Sequence, residues 1–496
     1  MTDEQKIYSL KSLVLLALII TAYRVYFLSL EQFDLFFDEA QYWFWAKNPD
    51  WGYYSKPPVV AWIIAATTSI CGDGEFCVRL GSPIIHLFTS IAVYFLGCEL
   101  YNKKVGFYSA VSYITLPAVT VSSALISTDP PLLLFWALSM LFFIKAVRTK
   151  RIRWWILTSI TAGFGLLSKY NMLIFALSAF IYLLCSKENR AVLKNPWLWI
   201  AAIMSLAIFS PNFIWNMDNH FASFMHTKDN AQGGGIAFYP NQMLEFIGAQ
   251  FGVFGPVLFT CLLIIFAFAK KTMRIESHKY LLLFILPLFV VIVSVSLMSR
   301  AHANWAAPIY VPASILVIAW LLEHNKRRLI HFSIILHVIL ALLATNLHFV
   351  GKTLGFEFTA RTTSLKEYKL KDPFIRLYGW DELGKGVAVA LDSYPDAALL
   401  TDSRKIHAEM LYYAKEHTKN AVKWNPTGKI GDHFDLTTDI KKVGTDNFIY
   451  VTIRDNISFM NNYFQDQEII GNIRIKPYSD DHDDYYLYYL TGFKGY

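Results

Sequence analysis

Long uninterrupted runs of apolar residues restrict the fold of this chain more than any other feature. "SLVLLALIITAYRVYFLSL" lies near the start and "LLLFILPLFVVIVSVSL" in the second half, and a run of about 20 apolar residues crosses a bilayer as a helix. Only 17% of the residues are charged, against about 25% in soluble proteins. The chain is therefore predicted to be a polytopic membrane protein. Its first run is interpreted as a retained helix, because it lacks a signal-peptide cleavage site.

Hydropathy predicts eleven membrane-spanning helices followed by a soluble domain. The stretch 59–71 is excluded because its 13 apolar residues are too few to span, and it suits a re-entrant or interfacial helix. After about residue 348, strand and helix patterns such as "AALLTDSRKIHAEMLYYAKEH" and "NFIYVTIRDN" replace the apolar runs, so an α/β domain is predicted. The predicted domains are 1–347 and 348–496. The spans are expected at 12–30, 79–99, 105–124, 131–147, 154–168, 171–185, 197–215, 244–268, 280–298, 305–322 and 329–347.

The distribution of basic residues predicts the orientation. Eighteen lysines and arginines fall in one set of predicted loops and only five in the opposite set. The positive-inside rule assigns the first set to the cytoplasm, which places the N-terminus inside and the C-terminal domain outside. The net charge of +7 does not indicate nucleic acid, because the basic residues lie in short clusters between spans.

Five cysteines form no metal-binding pattern. Cys71 and Cys77 flank "GDGEF". They either form a small disulfide on the exported side or remain two thiols at the membrane edge.

The first outward loop contains "FFDEAQYWFWAKNPDWGYYSKPP", with two adjacent carboxylates among aromatic residues. Asp38 is either the N-cap of a short helix, paired with Gln41 in a capping box, or a general base for an acceptor hydroxyl. Glu39, on the next face of the helix, is a second catalytic candidate. Lys56 is held before two prolines, and it either neutralises a phosphate or snorkels to lipid headgroups.

The other outward loops carry further candidates. Asp129 in "STDPP" is either a helix N-cap or a catalytic carboxylate. Lys169 interrupts an apolar run, and a cation there needs an anionic partner, such as a lipid phosphate. Arg300 and His302 in "SRAHANW" either bind anions or mark a helix end.

An ordered set of motifs resembles the ArnT and protein O-mannosyltransferase superfamily, glycosyltransferase family 39. The matching motifs are "FFDEAQYWFWA", "YYSKPPVVAW", "GDGEFCVRLGS", "STDPPLLLFWAL", "GLLSKYNMLIF", "AHANWAAPIYVP", "LLTDSRKIHAEMLYYA" and "DHFDL". The resemblance covers almost the whole chain. It implies a GT-C fold, interfacial helices in the first outward loop, a polyprenyl-phosphate sugar donor, and inverting transfer at the outer face of the bacterial inner membrane.

The resemblance also implies roles for individual residues. Asp38 matches the catalytic aspartate, Lys56 the lysine near the donor phosphate, and Asp129 the acidic residue of the second outward loop. Ser55 stands where ArnT-like enzymes often carry glutamate, so no metal or other cofactor is predicted. The complete predicted site comprises Asp38, Glu39 and Asp129 as catalytic residues, Lys56, Lys169 and Arg300 for the donor phosphate, and Tyr42, Tyr54, His302 and Asn304 as further substrate contacts.

The expected partners are a polyprenyl-phosphate sugar, membrane lipids, and an envelope glycolipid such as lipid A or a protein as acceptor. Two other functions remain open. A lipid or sugar transporter would also have many helices, although no internal repeat supports it. An oligosaccharide polymerase or ligase of related architecture would move a preassembled glycan instead of one sugar.

The charge distribution makes a topology prediction. A reporter fused after Thr345 should be active only outside the cytoplasm, and one fused after Arg151 only inside, because the intervening loops obey the positive-inside rule. Paired alkaline phosphatase and fluorescent-protein fusions measure both positions. A cytoplasmic signal from the Thr345 fusion would contradict the predicted threading.

Overall fold

The computed structural model describes residues 7–232, 238–361, 363–478 and 481–496. The chain divides into two compact units. The first, the membrane unit, comprises 1–29, 50–63 and 79–345. The second, the α/β unit, comprises 30–49, 64–78 and 346–496. The predicted boundary near 347 assigned 30–49 and 64–78 to the membrane domain, whereas in the structure these two segments pack with the C-terminal residues.

The membrane unit consists of helices joined by short loops. Every predicted span corresponds to helical structure, although some predicted spans consist of two helices. The helices are Leu10–Ser29, Gly81–Leu100, Lys103–Thr115, Pro117–Ala124, Asp129–Thr149, Ile152–Ser168, Leu173–Cys185, Pro196–Asp218, Ala222–Gln232, Pro240–Val253, Pro256–Ala267, Ala269–Thr272, Glu276–Met298, Tyr310–Glu323 and Arg327–Thr345, with 3₁₀ turns at Tyr170–Met172, Arg190–Lys194 and Ala303–Ile309. Helices Val59–Cys71 and Glu75–Arg79 have residues assigned to both units.

Among the described residues, seven helices are long and apolar enough to span a membrane, or eight if one bent pair counts as a single span. This makes the chain a multi-span membrane protein. The 13-residue helix Val59–Cys71 is below spanning length, as the sequence predicted. The total of eleven crossings stays a prediction, because the spans expected at 105–124, 154–168, 171–185 and 244–268 form shorter or interrupted helices.

Two predicted spans are broken by proline. The span expected at 105–124 bends by 52° between Thr115 and Pro117, because Pro117 lacks a backbone N–H and restricts Leu116 to an extended conformation. The prediction of a single helix over 244–268 is wrong. It is interrupted at Gly255, whose φ of +87° is accessible to glycine, and the next helix starts at Pro256. A Cβ at Gly255 would lie 2.0 Å from the His337 ring.

The core of the membrane unit is rich in aromatic residues. Phe143, Tyr182 and Tyr280 are almost fully buried, and the Tyr182 and Tyr280 rings meet edge to face at 4.9 Å, a favoured aromatic geometry. The Tyr280 hydroxyl donates to the carbonyl oxygen of Met140 at 2.7 Å. The polar end of this large core side chain is therefore satisfied.

The α/β unit contains a five-stranded mixed sheet in the order β4-β3-β5-β7-β6. Strand β3 is parallel to β4 and β5, whereas β7 is antiparallel to β5 and β6. A separate parallel pair joins β1 to β2. The strands are β1 (Glu357–Thr359), β2 (Lys369–Lys371), β3 (Ala398–Thr401), β4 (Val422–Lys423), β5 (Phe448–Thr452), β6 (Asp466–Tyr478) and β7 (Asp481–Thr491).

Helices cover this sheet, and one of them, Phe37–Lys47, comes from the predicted first outward loop. The helices are Phe37–Lys47, Leu347–Thr353, Trp380–Ser393, Arg404–Tyr413 and His433–Thr437, with 3₁₀ turns at Leu365–Glu367, Ile375–Leu377, Ile440–Lys442 and Ser458–Asn462. Neighbouring residues of β3 and β5 enter two different apolar clusters, one on each face of the sheet. Burial on both faces explains why these strands read as continuous apolar runs. The strands and the helix predicted in both quoted motifs are confirmed.

The contact between Gly97 and Gly106 predicts a stability effect. A Cβ at Gly106 would lie 2.6 Å from the Tyr94 carbonyl oxygen and 2.7 Å from the Cys98 sulfur. Gly106→Ala should therefore destabilise the fold by about 1–3 kcal/mol, the usual range for overpacking. Thermal unfolding in detergent measures the effect. The control is Gly248→Ala, where nothing lies within 4 Å of the added Cβ, and equal melting temperatures for both variants would contradict the prediction.

Candidate active site

Asp38 lies in the second position of helix Phe37–Lys47, where its carboxylate forms an ion pair within the α/β unit. Its Oδ1 accepts a hydrogen bond from Arg404 Nη1 at 2.9 Å. The same nitrogen donates to Gln41 Oε1 at 2.9 Å, and the guanidinium lies 4.9 Å from the centre of the Phe37 ring. With 38% of its side chain exposed, Asp38 combines a fixed orientation with access for a substrate.

The capping interpretation of Asp38 is wrong, because Glu39 supplies the cap instead. The helix begins at Phe37, and Glu39 Oε2 accepts a hydrogen bond from the backbone N–H of Phe36 at 3.0 Å. Glu39 is 2% exposed. A buried capping carboxylate has a structural role, whereas the catalytic role predicted for Glu39 stays a prediction. Asp38 therefore does not have the helix-capping role that the sequence suggested.

Arg404 is a functional candidate that the sequence analysis quoted only within a motif. It occupies the first position of helix Arg404–Tyr413, where the helix dipole disfavours a positive charge. The carboxylate of Asp38 offsets that cost, because it brings a negative charge to the same helix N-terminus. A basic residue at the start of a helix was the signal that could have identified this pair.

The loop after Cys71 anchors the other end of the Asp38 helix. Asp73 Oδ1 accepts a hydrogen bond from Trp43 Nε1 at 2.9 Å, and Lys47 forms an ion pair with the same carboxylate. Burial alone would raise the pKa of Asp73, but the hydrogen bonds from Lys47 and Trp43 give a net lowering. A disulfide joins Cys71 to Cys77, so this loop is closed covalently beside its contacts.

A second group of candidates meets inside the membrane unit. Asp129 Oδ1 accepts a hydrogen bond from Lys169 Nζ at 2.6 Å, and its Oδ2 accepts one from Asn304 Nδ2 at 2.7 Å. Three residues predicted from three separate loops therefore converge. The N-cap position of the Asp129 helix is occupied by Thr128, so the capping interpretation of Asp129 is wrong. Lys169 has its anionic partner within the protein, and its role at a donor phosphate stays a prediction.

The Lys56 loop is fixed by helix Pro196–Asp218. Asn212 Nδ2 donates to the carbonyl oxygen of Trp51 at 2.7 Å, and Trp215 Nε1 donates to Asp50 Oδ2 at 2.8 Å. Asn212 Oδ1 also accepts a hydrogen bond from Tyr170 at 3.1 Å, the residue after Lys169. Asn212 thus connects the two loops that carry the predicted phosphate-binding lysines. Neither Asn212 nor Trp215 was identified from the sequence.

The remaining predicted contacts are distributed over both units. Tyr42 is 5% exposed and its ring contacts Trp45, which leaves little surface for a substrate. In the membrane unit, Tyr54 packs against His226, and His302 contacts Trp305. Arg300 lies in the short connection before the 3₁₀ turn Ala303–Ile309, and its predicted role is neither supported nor contradicted by a described contact.

No three His, Cys, Asp or Glu side chains in the described ranges are placed to hold a metal ion. Asp38 and Asp129 instead have basic partners on the chain itself. A carboxylate held by a basic side chain is suited to proton transfer or to orienting a substrate.

A cavity of about 840 Å³ lies in the α/β unit beside the Asp38–Arg404 pair. Phe37, Ser403 and Lys405, which flank that pair in sequence, line it. Its other walls include the aromatic residues Tyr378, Trp380 and Tyr485 and the basic residues Lys371, Arg376 and Arg454. Arg454 is paired with Asp402. The cavity therefore presents basic groups and aromatic faces together, an arrangement suited to a phosphorylated sugar.

Comparison with solved structures defines the class of fold. ArnT from Cupriavidus metallidurans, crystallised with bound undecaprenyl phosphate, superposes with a TM-score of 0.65 at 14% sequence identity, covering 97% of this chain and 98% of that one. The Archaeoglobus fulgidus oligosaccharyltransferase superposes with a TM-score of 0.52 at 12% identity, covering 95% of this chain and 72% of the other. The chain has the GT-C fold that the sequence motifs implied.

Sequence comparison indicates the activity. The family model for dolichyl-phosphate-mannose-protein mannosyltransferases matches residues 55–215. The lipid A galacturonosyltransferase RgtD of Rhizobium johnstonii is 28% identical over 422 residues, 84% of this chain and 86% of the relative. The undecaprenyl phosphate-α-4-amino-4-deoxy-L-arabinose arabinosyl transferase of Pseudomonas savastanoi pv. phaseolicola is 24% identical over 294 residues, 55% of this chain and 52% of the relative. The chain is a membrane glycosyltransferase, and it is similar to the ArnT and protein O-mannosyltransferase superfamily.

The Asp38–Arg404 pair predicts that Arg404 positions the carboxylate. Arg404→Gln should lower kcat for sugar transfer about 10-fold or more, because a hydrogen bond to a charged group contributes about 1.5–3 kcal/mol. KM for the donor and the melting temperature should change little. The matched control is Arg474→Gln, which removes a comparable pair with Asp484 at 2.7 Å between β6 and β7. Equal transfer rates for the two variants would contradict a positioning role.

Proposed function

We propose that this protein transfers one sugar from a polyprenyl-phosphate donor to a phosphorylated envelope glycolipid of the lipid A type. The reaction would take place at the outer face of the bacterial inner membrane. The observation that carries this proposal is the accessible Asp38 carboxylate, held by Arg404 beside a basic and aromatic cavity. The names of the relatives from Rhizobium and Pseudomonas support the same donor and acceptor classes.

The chemistry requires one bond to form and one to break at the anomeric carbon. An acceptor hydroxyl attacks that carbon and gives its proton to Asp38, and the polyprenyl phosphate leaves with the bonding electrons. Attack opposite the leaving group inverts the configuration. If the acceptor oxygen belongs to a phosphate, which is already ionised near pH 7, Asp38 orients the acceptor and takes no proton. Asp38 then contributes through position alone.

Lys56 is proposed to bind the donor phosphate. Its backbone pairs with that of Tyr53 in a tight turn, and Trp51, earlier in the same loop, is fixed by Asn212. A lysine on a rigid turn can offer a localised charge to the leaving phosphate. Lys169 is the second candidate for this role, and Asp129 holds its charge in place.

The acceptor proposal rests on the cavity beside Phe37. Lys371, Arg376 and Lys405 line it, and none of the three has a carboxylate within ion-pair distance among the described residues. Phosphate groups on a sugar would provide those partners. Aromatic walls suit the apolar faces of sugar rings.

The proposed outward location of the α/β unit has two independent supports. The basic residues are concentrated in the loops predicted to face the cytoplasm, and the disulfide between Cys71 and Cys77 is of a kind that persists in oxidising compartments. A membrane-bound donor also fits this location, because nucleotide sugars are supplied in the cytoplasm.

The donor class can be tested with the purified full-length protein in detergent and lipid. A polyprenyl-phosphate sugar should support transfer to a lipid A extract, whereas the matching nucleotide sugar alone should not. Mass spectrometry of the product gives the added mass and the acceptor. Lys56→Ala should lower donor use strongly, because the leaving phosphate loses a counter-charge, whereas Lys442→Ala, which removes an exposed ion pair to Asp439, should not.

Turnover with the nucleotide sugar in the absence of any polyprenyl phosphate would overturn the proposal. Transfer of a preassembled glycan would instead indicate a ligase. Movement of an unchanged substrate without a new glycosidic bond would indicate a transporter.

A further inference from the structure

Arg24 is a buried cation inside the first membrane helix, Leu10–Ser29. Only 5% of the residue is exposed. Its Nη2 donates to the carbonyl oxygen of Ile114 at 2.6 Å and to Thr120 Oγ1 at 3.2 Å. Both acceptors flank the helix break at Pro117, which leaves backbone carbonyls without their usual helical donors. One half of the guanidinium thus has a structural role.

The second terminal nitrogen of the guanidinium, Nη1, has no structural contact of this kind. Arg24 Nη1 is buried and has no hydrogen-bond partner in the described part of the chain. No described carboxylate forms an ion pair with Arg24. A buried charge in a membrane segment without a compensating partner is costly, and such residues commonly mark a ligand site. The missing partner is therefore expected to be an anion from outside the chain.

A cavity of about 280 Å³ adjoins Arg24 within the membrane unit. Hydroxyl groups of Tyr23, Thr120, Ser123 and Thr345 contribute to its lining, and the rest is largely apolar. The cavity lies between the first helix, the bent pair 103–124 and helix Arg327–Thr345. It is large enough for a phosphate group and the start of its apolar chains.

The cavity is bordered by the lipid-facing surface of these helices. Ile19 and Leu342 line the cavity and are 59% and 46% exposed, as expected for side chains that contact acyl chains. Arg24 lies five residues before the end of its helix, which corresponds to about 8 Å along the axis. An anion at this depth lies near the level of lipid headgroups and can enter sideways from the bilayer.

We propose that Arg24 binds the phosphodiester of an anionic glycerophospholipid in this cavity. A phosphodiester carries one negative charge, which matches one guanidinium, whereas a dianionic monoester would require further cations that the cavity lining lacks. The apolar walls accommodate the start of the acyl chains. This lipid site is independent of the proposed sugar-transfer reaction.

Native mass spectrometry of the full-length protein in detergent tests this site. Phosphatidylglycerol, diacylglycerol and inorganic phosphate are offered separately at equal concentration. The wild-type protein should retain phosphatidylglycerol at least about tenfold more than each of the other two. Arg24→Met should abolish that preference, and Ala341→Phe, which fills the cavity but keeps the cation, should weaken it to a similar extent.

The control is Arg328→Met, which removes an exposed arginine from helix Arg327–Thr345 and should leave the preference unchanged. If Arg24→Met does not fold, Ala341→Phe decides the question. Unchanged retention of phosphatidylglycerol in Arg24→Met or Ala341→Phe would overturn the proposal. So would equal retention of diacylglycerol, or preferential retention of inorganic phosphate, by the wild-type protein.

Discussion

The ion pair between Asp38 and Arg404 is the contact on which the account of this protein depends. Asp38 belongs to a short aromatic helix from the first outward loop, and Arg404 begins a helix 366 residues later in the chain. The pair offsets an unfavourable charge at a helix N-terminus and sets the direction of a half-exposed carboxylate. Since Glu39 supplies the helix cap, Asp38 can change its protonation or partner without loss of that cap.

In the membrane unit, polar side chains near the ends of helices also form ion pairs and hydrogen bonds with one another. Asp129 compensates Lys169 and accepts from Asn304, and Asn212 links the Tyr170 turn to the loop of Lys56. Where the solvent is lipid, unsatisfied polar groups are costly, so these contacts fix the loops that carry the predicted site. Arg24 Nη1 is a buried charged group without a partner in the described part of the chain, and a lipid phosphate is the partner proposed for it.

Much of this architecture could be predicted from hydropathy, charge and ordered motifs. The short helix 59–71 and the strand and helix around "LLTDSRKIHAEMLYYA" followed from patterns along the chain, whereas the GT-C fold followed from the resemblance of the ordered motifs to a known superfamily. The break at Gly255 was missed because a glycine beside a proline does not interrupt an apolar run in a hydropathy profile. Arg404, Asn212 and Trp215 were missed because their partners are distant in sequence, and spacing reveals only neighbours on one helix or strand.

The central claim is that the Asp38 carboxylate acts in the transfer step. Its direct test is the single-turnover rate of Asp38→Asn, measured with saturating polyprenyl-phosphate sugar and acceptor. Asn keeps the size of the side chain and can still contact Arg404, while the negative charge is lost. The account predicts a rate lower by about 10²–10⁴-fold, with an unchanged melting temperature and unchanged donor binding. A rate close to that of the wild-type protein would contradict it.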